Sequence, residues 1–302
     1  MSRPITVLGV PMDLGAARRG VEMGPSAVRL ARLEERLEAL GHVVRDDGDV
    51  PVPTRETLGA GRGIDYLPTI TTVCRDLASR TARIVAAGEV PLVLGGDHSI
   101  AAGSVAGAAN AVAATGGRLG VIWLDAHTDL HVPTSSETGN IHGMPVAHLL
   151  GKGDPDLAAL ASDGARIAPH HLVIVGARDV DQGERAHAQE WGIRVFTMRE
   201  IDERGMRAVL QEAIELVSDG TTGIHVSLDL DFVDPQEAPG VGTPVRGGAT
   251  YREAHLAMEM LHDTKRIVSM DLVEVNPVLD RFNHTAELAV GLVASGFGQR
   301  IL

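Results

Sequence analysis

The sequence predicts an α/β fold: a three-layer α/β/α arrangement around a mainly parallel sheet of about eight strands. Three observations carry that expectation. Short aliphatic runs recur along the chain, segments with helical periodicity separate most of them, and the composition suits buried strands joined by tight turns. Of 302 residues, 44% are hydrophobic and only 3% aromatic, with 35 glycines. Strands that alternate with helices imply parallel pairing through crossover connections. No repeat, low-complexity tract or long linker interrupts the pattern, so residues 1–302 are expected to form a single domain.

The first strand is expected at 5–10 and the first helix at 25–40. That helix has Pro25 early, Val28, Leu30, Leu33, Leu37 and Leu40 as its apolar residues, and Gly41 as its stop. A second strand is expected at 42–45, then one surface loop over the Gly- and Pro-containing stretch 50–63. Beside Val73 and Leu77, the single cysteine, Cys74, reads as a packed thiol in a helix. Six further strands are expected at 90–94, 119–124, 172–175, 193–197, 223–229 and 267–273. In an open parallel sheet, ligands bind beyond the carboxyl ends of the strands, which directs attention to polar residues just after these runs.

Composition removes several function classes. A formal net charge of −13, with no Lys/Arg run interleaved with aromatics, argues against a nucleic-acid partner and is compatible with a cationic small substrate. One cysteine rules out an intrachain disulfide and suits a reducing compartment. Nowhere do 18 apolar residues run together, and the N-terminal stretch lacks the length and cleavage region of a signal peptide. A cytoplasmic protein with no membrane partner is expected.

Three strand ends carry clusters of acid and imidazole. Gly95-Gly96-Asp97-His98 follows the third strand, Asp125-Ala126-His127-Thr128-Asp129 follows the fourth, and 223–229 runs into Asp229-Leu230-Asp231. In extended chain, residues two apart share a face, so Asp125, His127 and Asp129 can point together, as can Asp229 and Asp231. His225, Ser227, Asp229 and Asp231 would then face away from Ile224, Val226, Leu228 and Leu230, a costly pattern for a central strand that something must neutralise. Any one of these residues alone could be a cap or a satisfied loop residue, and Asp97 is assigned that way. Together, four carboxylates and two imidazoles within a few Å would protonate or repel one another, and two divalent cations would remove the conflict.

Mixed oxygen and nitrogen ligands without thiolate suit manganese, Mn2+, two per subunit; zinc, cobalt and iron stay open. With six ligands for two ions, Asp125 and Asp229 would need to bridge. A water held between two such ions loses a proton near neutral pH, and the resulting hydroxide suits a poorly electrophilic carbon such as that of a guanidinium or amide.

These clusters, in this order, resemble the ureohydrolase family, the arginases and agmatinases. The likeness extends to Ser227-Leu228-Asp229-Leu230-Asp231-Phe232-Val233-Asp234-Pro235, to Gly242-Thr243-Pro244 and to Gly247-Gly248, and it runs from about Pro11 to the last helix. It implies an arginase-like fold with one ion held by His98, Asp125, Asp129 and Asp229 and the other by Asp125, His127, Asp229 and Asp231. It also implies that His142 shuttles a proton and that Glu274 orients the guanidinium, with Asp129 counted among the catalytic groups.

Within the family, Gly139-Asn140-Ile141-His142-Gly143-Met144-Pro145 and Gly176-Ala177-Arg178-Asp179-Val180-Asp181-Gln182-Gly183-Glu184 resemble the arginase branch. That implies conversion of L-arginine to L-ornithine and urea. Asp181 would take the α-amino group, with Glu184 in support. Thr138 and Asn140 would contact the α-carboxylate, Ser136 belongs to the same substrate-binding set, and Thr243 would support the site.

His131 stands where arginases usually have asparagine, and Thr138 where they have serine; the imidazole can still donate, but with different reach and pH dependence. The resemblance further implies a homotrimer or homohexamer. Alternatives are a related ureohydrolase acting on agmatine, guanidinobutyrate or formiminoglutamate, a metal-dependent binding protein without catalysis, and a binuclear metallophosphoesterase. The last is disfavoured because Gly96-Asp97 precedes Asp125-Ala126-His127 and Asn140 lacks an adjacent histidine.

Overall fold

The structure is a computed structural model and describes residues 3–300. Eight strands form one sheet: β1 Ile5–Val10, β2 Val44–Asp49, β3 Val90–Gly95, β4 Leu119–Leu124, β5 Leu172–Ala177, β6 Arg194–Thr197, β7 Gly223–Asp229 and β8 Ile267–Val273. Their order is β2-β1-β3-β8-β7-β4-β5-β6, and every neighbouring pair is parallel. The inner strands are buried on both faces, as their near-continuous aliphatic sequences require.

Helices cover both faces. Leu67–Ala86 and Ala101–Ala114 pack on one face, where Val93, Val121 and Trp123 point. Met206–Ser218, Tyr251–Asp263 and His284–Gly296 cover the other, over Leu92, Ile122, Val226 and Met270. Cys74 is buried in the first of these helices, its Sγ 3.5 Å from the Ser99 carbonyl, as a packed thiol should be.

Two elements differ from the sequence expectation. The second strand occupies Val44–Asp49, not 42–45, and most of its side chains are exposed. It is an edge strand held by backbone pairing with β1 alone, so no apolar period marks it; Arg29 ties its Asp46 and Asp49 at 2.6 and 2.7 Å. The helix expected over 25–40 is two helices, Gly24–Leu30 and Leu33–Glu38, separated by Arg32 in the left-handed region at φ 67°. Val28 and Leu33 are five apart, which on one helix would splay them by roughly 140°. The break lets both reach the core, where each is 1% exposed. Within 50–63 the chain adds the short helix Arg55–Leu58 and enters the 3-10 turn Gly63–Tyr66 at its end.

The topology assembles the site. β3, β8, β7 and β4 lie side by side, so the chain leaving each at its carboxyl end delivers a polar residue to one crevice. His98 comes from β3, Glu274 from β8, Asp229 from β7 and Asp125 from β4.

Candidate metal centre

Six side chains expected to hold ions converge in two nests of ligand atoms. In the first, His98 Nδ1 lies 3.2 Å from Asp125 Oδ2, 3.1 Å from Asp129 Oδ2 and 3.2 Å from Asp229 Oδ2. In the second, His127 Nδ1 lies 3.4 Å from Asp125 Oδ1 and 3.0 Å from Asp231 Oδ2. Asp125 therefore faces both nests, one oxygen to each, as a bridging ligand would. Asp229 turns Oδ2 to the first nest, while its Oδ1 accepts the Asp231 N–H at 2.8 Å.

The backbone reaches this arrangement by a different route from the expected strand face. β4 ends at Leu124, and Asp129 sits in the left-handed region at φ 53°, so Asp125, His127 and Asp129 do not continue an extended chain. The turn sends Asp129 to His98 and His127 to Asp231. Asp231 itself lies in the 3-10 turn Leu230–Phe232 beyond β7. Left-handed backbone at a non-glycine residue is strained, and it persists here because the surrounding structure fixes it.

His225 and Ser227 need a second correction. Both lie on the polar face of β7 as expected, but ions do not neutralise them. His225 meets Ser269 and Asp271, and Ser227 meets Asp271 and His98.

The electrostatics of the six residues describe a cluster short of positive charge. Burial, then Asp231 and Asp125, drives Asp229 well above the ordinary carboxyl range. Burial and Asp125 lift Asp129 to about 7, and the same two causes raise Asp231. Burial would raise Asp125 too, but His127 and His98 hold it far below its usual value. Both imidazoles would be lowered by burial, yet their carboxylate partners pull them upward. Without cations the site must hold protons instead, and divalent ions would take over that role.

The donor atoms fit such ions. His98 Nδ1 and Asp129 Oδ2 are buried with no hydrogen-bond partner, although buried polar atoms are nearly always satisfied. Among the described residues, His98, Asp125 and Asp229, and separately Asp125, His127 and Asp231, bring ligand atoms within 4.8 Å of one another.

Trp123, inside the strand expected at 119–124, stiffens the first nest. Its ring stacks on His98 at 4.2 Å and 13°, and its Nε1–H donates to Asp125 Oδ2 at 2.9 Å. No local sequence signal separates this tryptophan from an ordinary strand residue.

Beside the nests, Glu274 Oε1 accepts the His98 N–H at 3.0 Å and lies 2.9 Å from His142 Nδ1. Its Oε2 is buried without a partner, and its backbone is left-handed at φ 65°. A Cβ on Gly242 would stand 2.7 Å from that oxygen, so only glycine leaves the carboxylate its place. Burial would lower His142, but Glu274, with Asp97 and Asp129, lifts it to about 9. Asp97 acts as the expected cap, accepting from the Gly15 and Ser99 N–H groups. Thr243 donates to Asp231 Oδ2 at 3.0 Å.

A cavity of about 200 Å³ opens over the first nest, with His131, Ser136, Thr138, Asn140 and Glu184 on its wall. The Ser136 and Thr138 hydroxyls accept the Gly139 and Asn140 N–H groups. Asp181, half exposed at the rim, lies 3.1 Å from His131 Nε2 and exchanges a reciprocal cap with Glu184 at the start of Gln182–Trp191.

Residues 3–298 match the family model described as the Arginase family. The chain is 48% identical over 303 residues to an arginase of Bacillus caldovelox, covering 99% of this chain and 100% of that one. It is 49% identical to an arginase of Bacillus subtilis (strain 168) over 302 residues, covering both chains in full. A native structure of the Bacillus caldovelox arginase superposes with a TM-score of 0.93 over 100% of both chains. The Entamoeba histolytica arginase solved with L-ornithine is 30% identical, with a TM-score of 0.90 over 98% of each chain.

Proposed function

The chain belongs to the arginase family and is a hydrolase of the amidinohydrolase type, and from that premise we propose that it converts L-arginine to L-ornithine and urea with two Mn2+ ions. The observation that carries the reading is the pair of nests sharing Asp125, beside an unpartnered oxygen of Glu274. Oxygen and imidazole donors without thiolate suit manganese. When bound, two such cations would lower the pKa of a water and so supply hydroxide near neutral pH.

The remaining chemistry belongs to the chain's own residues. Glu274 Oε2 accepts N–H groups of the guanidinium, whose planar fork matches a carboxylate. His142 is held by Glu274 through Nδ1, which leaves Nε2 to donate a proton to the leaving amine. Asp129 joins these catalytic groups by directing Oδ2 into the nest that faces the cavity. Thr243 steadies Asp231.

At the amino-acid end, Asp181 takes the α-ammonium with Glu184 in support, and His131, Ser136, Thr138 and Asn140 serve the α-carboxylate. The ornithine complex of the Entamoeba histolytica relative supports ornithine as product. The reading extends to a single domain over residues 1–302, of which 1, 2, 301 and 302 lie outside the described residues, and to a cytoplasmic homotrimer or homohexamer.

Manganese-loaded protein should be assayed with arginine, agmatine, guanidinobutyrate and formiminoglutamate, following urea or, for the last, formamide. Arginine should have the highest kcat/KM. Faster turnover of another compound overturns the substrate, and release from none overturns the reaction.

A further inference from the structure

Below the first nest, on the face of β7 and β8 covered by the helix Ala101–Ala114, a line of polar side chains does work that no ligand role accounts for. His98 Nε2 lies 2.8 Å from Ser227 Oγ, and Ser227 Oγ donates to Asp271 Oδ1 at 2.6 Å. Asp271 Oδ2 lies 3.0 Å from His225 Nε2, whose Nδ1 is 2.7 Å from Ser269 Oγ. Ser104, from the covering helix, donates to the same Oδ2. The parallel register sets Ser227 beside Asp271 and His225 beside Ser269, and all four are at most 1% exposed.

A carboxylate and an imidazole buried together in a sheet face are no aid to stability that aliphatic residues could not match. Their direction of donation has a consequence, however. An ionised carboxylate only accepts, so the Ser227 proton goes to Asp271, and a Ser227 lone pair is left for the His98 Nε2–H. With Nε2 tied to Ser227, Nδ1 is the nitrogen His98 can offer as a ligand towards Asp125, Asp129 and Asp229. Burial pushes the Asp271 carboxyl up, but His225 beside it, with Ser104, more than offsets this and holds it below the usual range. Among the described residues, the imidazole of the second nest has no such partner. His127 is 25% exposed, and its Nε2 comes no closer than 3.9 Å to the largely exposed Asp179.

We propose that Asp271, acting through Ser227 and held by His225, is a positioning residue that fixes the tautomer and orientation of His98 and so sets the affinity of one cation seat independently of the other. The inference rests on the two-cation reading of the site.

The test compares the parent with Ser227→Ala, Asp271→Asn and Ser227→Thr, each loaded with Mn2+ and titrated with a chelator. Metal per chain is read by elemental analysis, and low-temperature electron paramagnetic resonance separates a spin-coupled pair from an isolated ion. Ser227→Ala and Asp271→Asn should weaken one seat by about 10–100-fold, the range for losing a partner that orients a ligand, and leave the other unchanged. An isolated-ion spectrum should then replace the coupled pair at intermediate chelator concentration, while Ser227→Thr behaves as the parent. Should Asp271→Asn fail to fold, Ser227→Ala, which leaves the Asp271 and His225 contact in place, decides alone. Equal weakening of both seats, or parental affinity in Ser227→Ala, overturns the proposal. A parent that binds no ion overturns the two-cation reading itself, and the proposal with it.

Discussion

Replacing Glu274 by glutamine changes one atom and leaves the shape of the site intact. In the parent, Oε1 is committed to the His98 N–H and the His142 ring, and Oε2 is buried without a partner on the side of Gly242, with which Glu274 lines a neighbouring cavity. The His98 N–H still demands an acceptor in the variant, so the amide oxygen must stay there and the NH2 group turns to the substrate. A guanidinium that met a carboxylate oxygen now meets donors.

A hydrogen bond between charged groups contributes about 1.5–3 kcal/mol. Losing it, together with the new clash of donors, should cost about 2–4 kcal/mol, or roughly 30- to 700-fold in the apparent affinity for substrate. The charge that lifts His142 to about 9 is lost too, so the alkaline limb of the rate should move to lower pH. Steady-state urea release on metal-loaded Glu274→Gln across pH, with metal content measured in parallel, reads both effects. A KM within threefold of the parent at full metal content would refute the assignment of Oε2 to the guanidinium.

Asp229→Ala should lose both metal loading and urea release, because it removes a buried ligand atom of the first nest; full metal content in that variant contradicts the nest. His142→Ala should retain its metal and lower kcat by about 100- to 10,000-fold, the usual range for a positioned acid, whereas an unchanged kcat removes the shuttle. Away from the site, burial lowers His148 to about 4, with Nδ1 accepting the Asp154 N–H and Nε2 unpartnered. Its folded pKa lies below the unfolded value of 6.5, so its contribution is complete above 6.5 and is lost as pH falls from there towards about 4, by about 3 kcal/mol in all. Denaturation of metal-free parent and His148→Asn at about pH 7.5 and about pH 4.5 should show a shallower acid loss in the variant; equal losses refute the assignment.

The inner strands and the cluster of acid and imidazole at their ends were legible in the sequence because each is written locally: aliphatic runs ending in acid and imidazole. What escaped depends on partners distant in sequence. β2 carries no apolar period because its edge position asks only for backbone pairing. The break at Arg32 follows from a core that accepts both Val28 and Leu33, which neither residue announces.

Alternation singled out Asp125, His127 and Asp129, and the left-handed turn at Asp129, not a shared strand face, divides them between the nests. Likewise the polar face of β7 was visible, but its partner Asp271 lies 44 residues from Ser227. A carboxylate inside the aliphatic run 267–273 was the available signal for it. Gly242 stands in a segment that carries the family likeness, but the room it makes for Glu274 shows only once the fold brings them together.

Anomalous scattering from crystals of the manganese-loaded protein tests the two-seat arrangement most directly. Two peaks per chain are predicted, one among His98 Nδ1, Asp125 Oδ2, Asp129 Oδ2 and Asp229 Oδ2, the other among His127 Nδ1, Asp125 Oδ1 and Asp231 Oδ2. A single peak, or peaks that leave Asp125 on neither or only one of them, would contradict it.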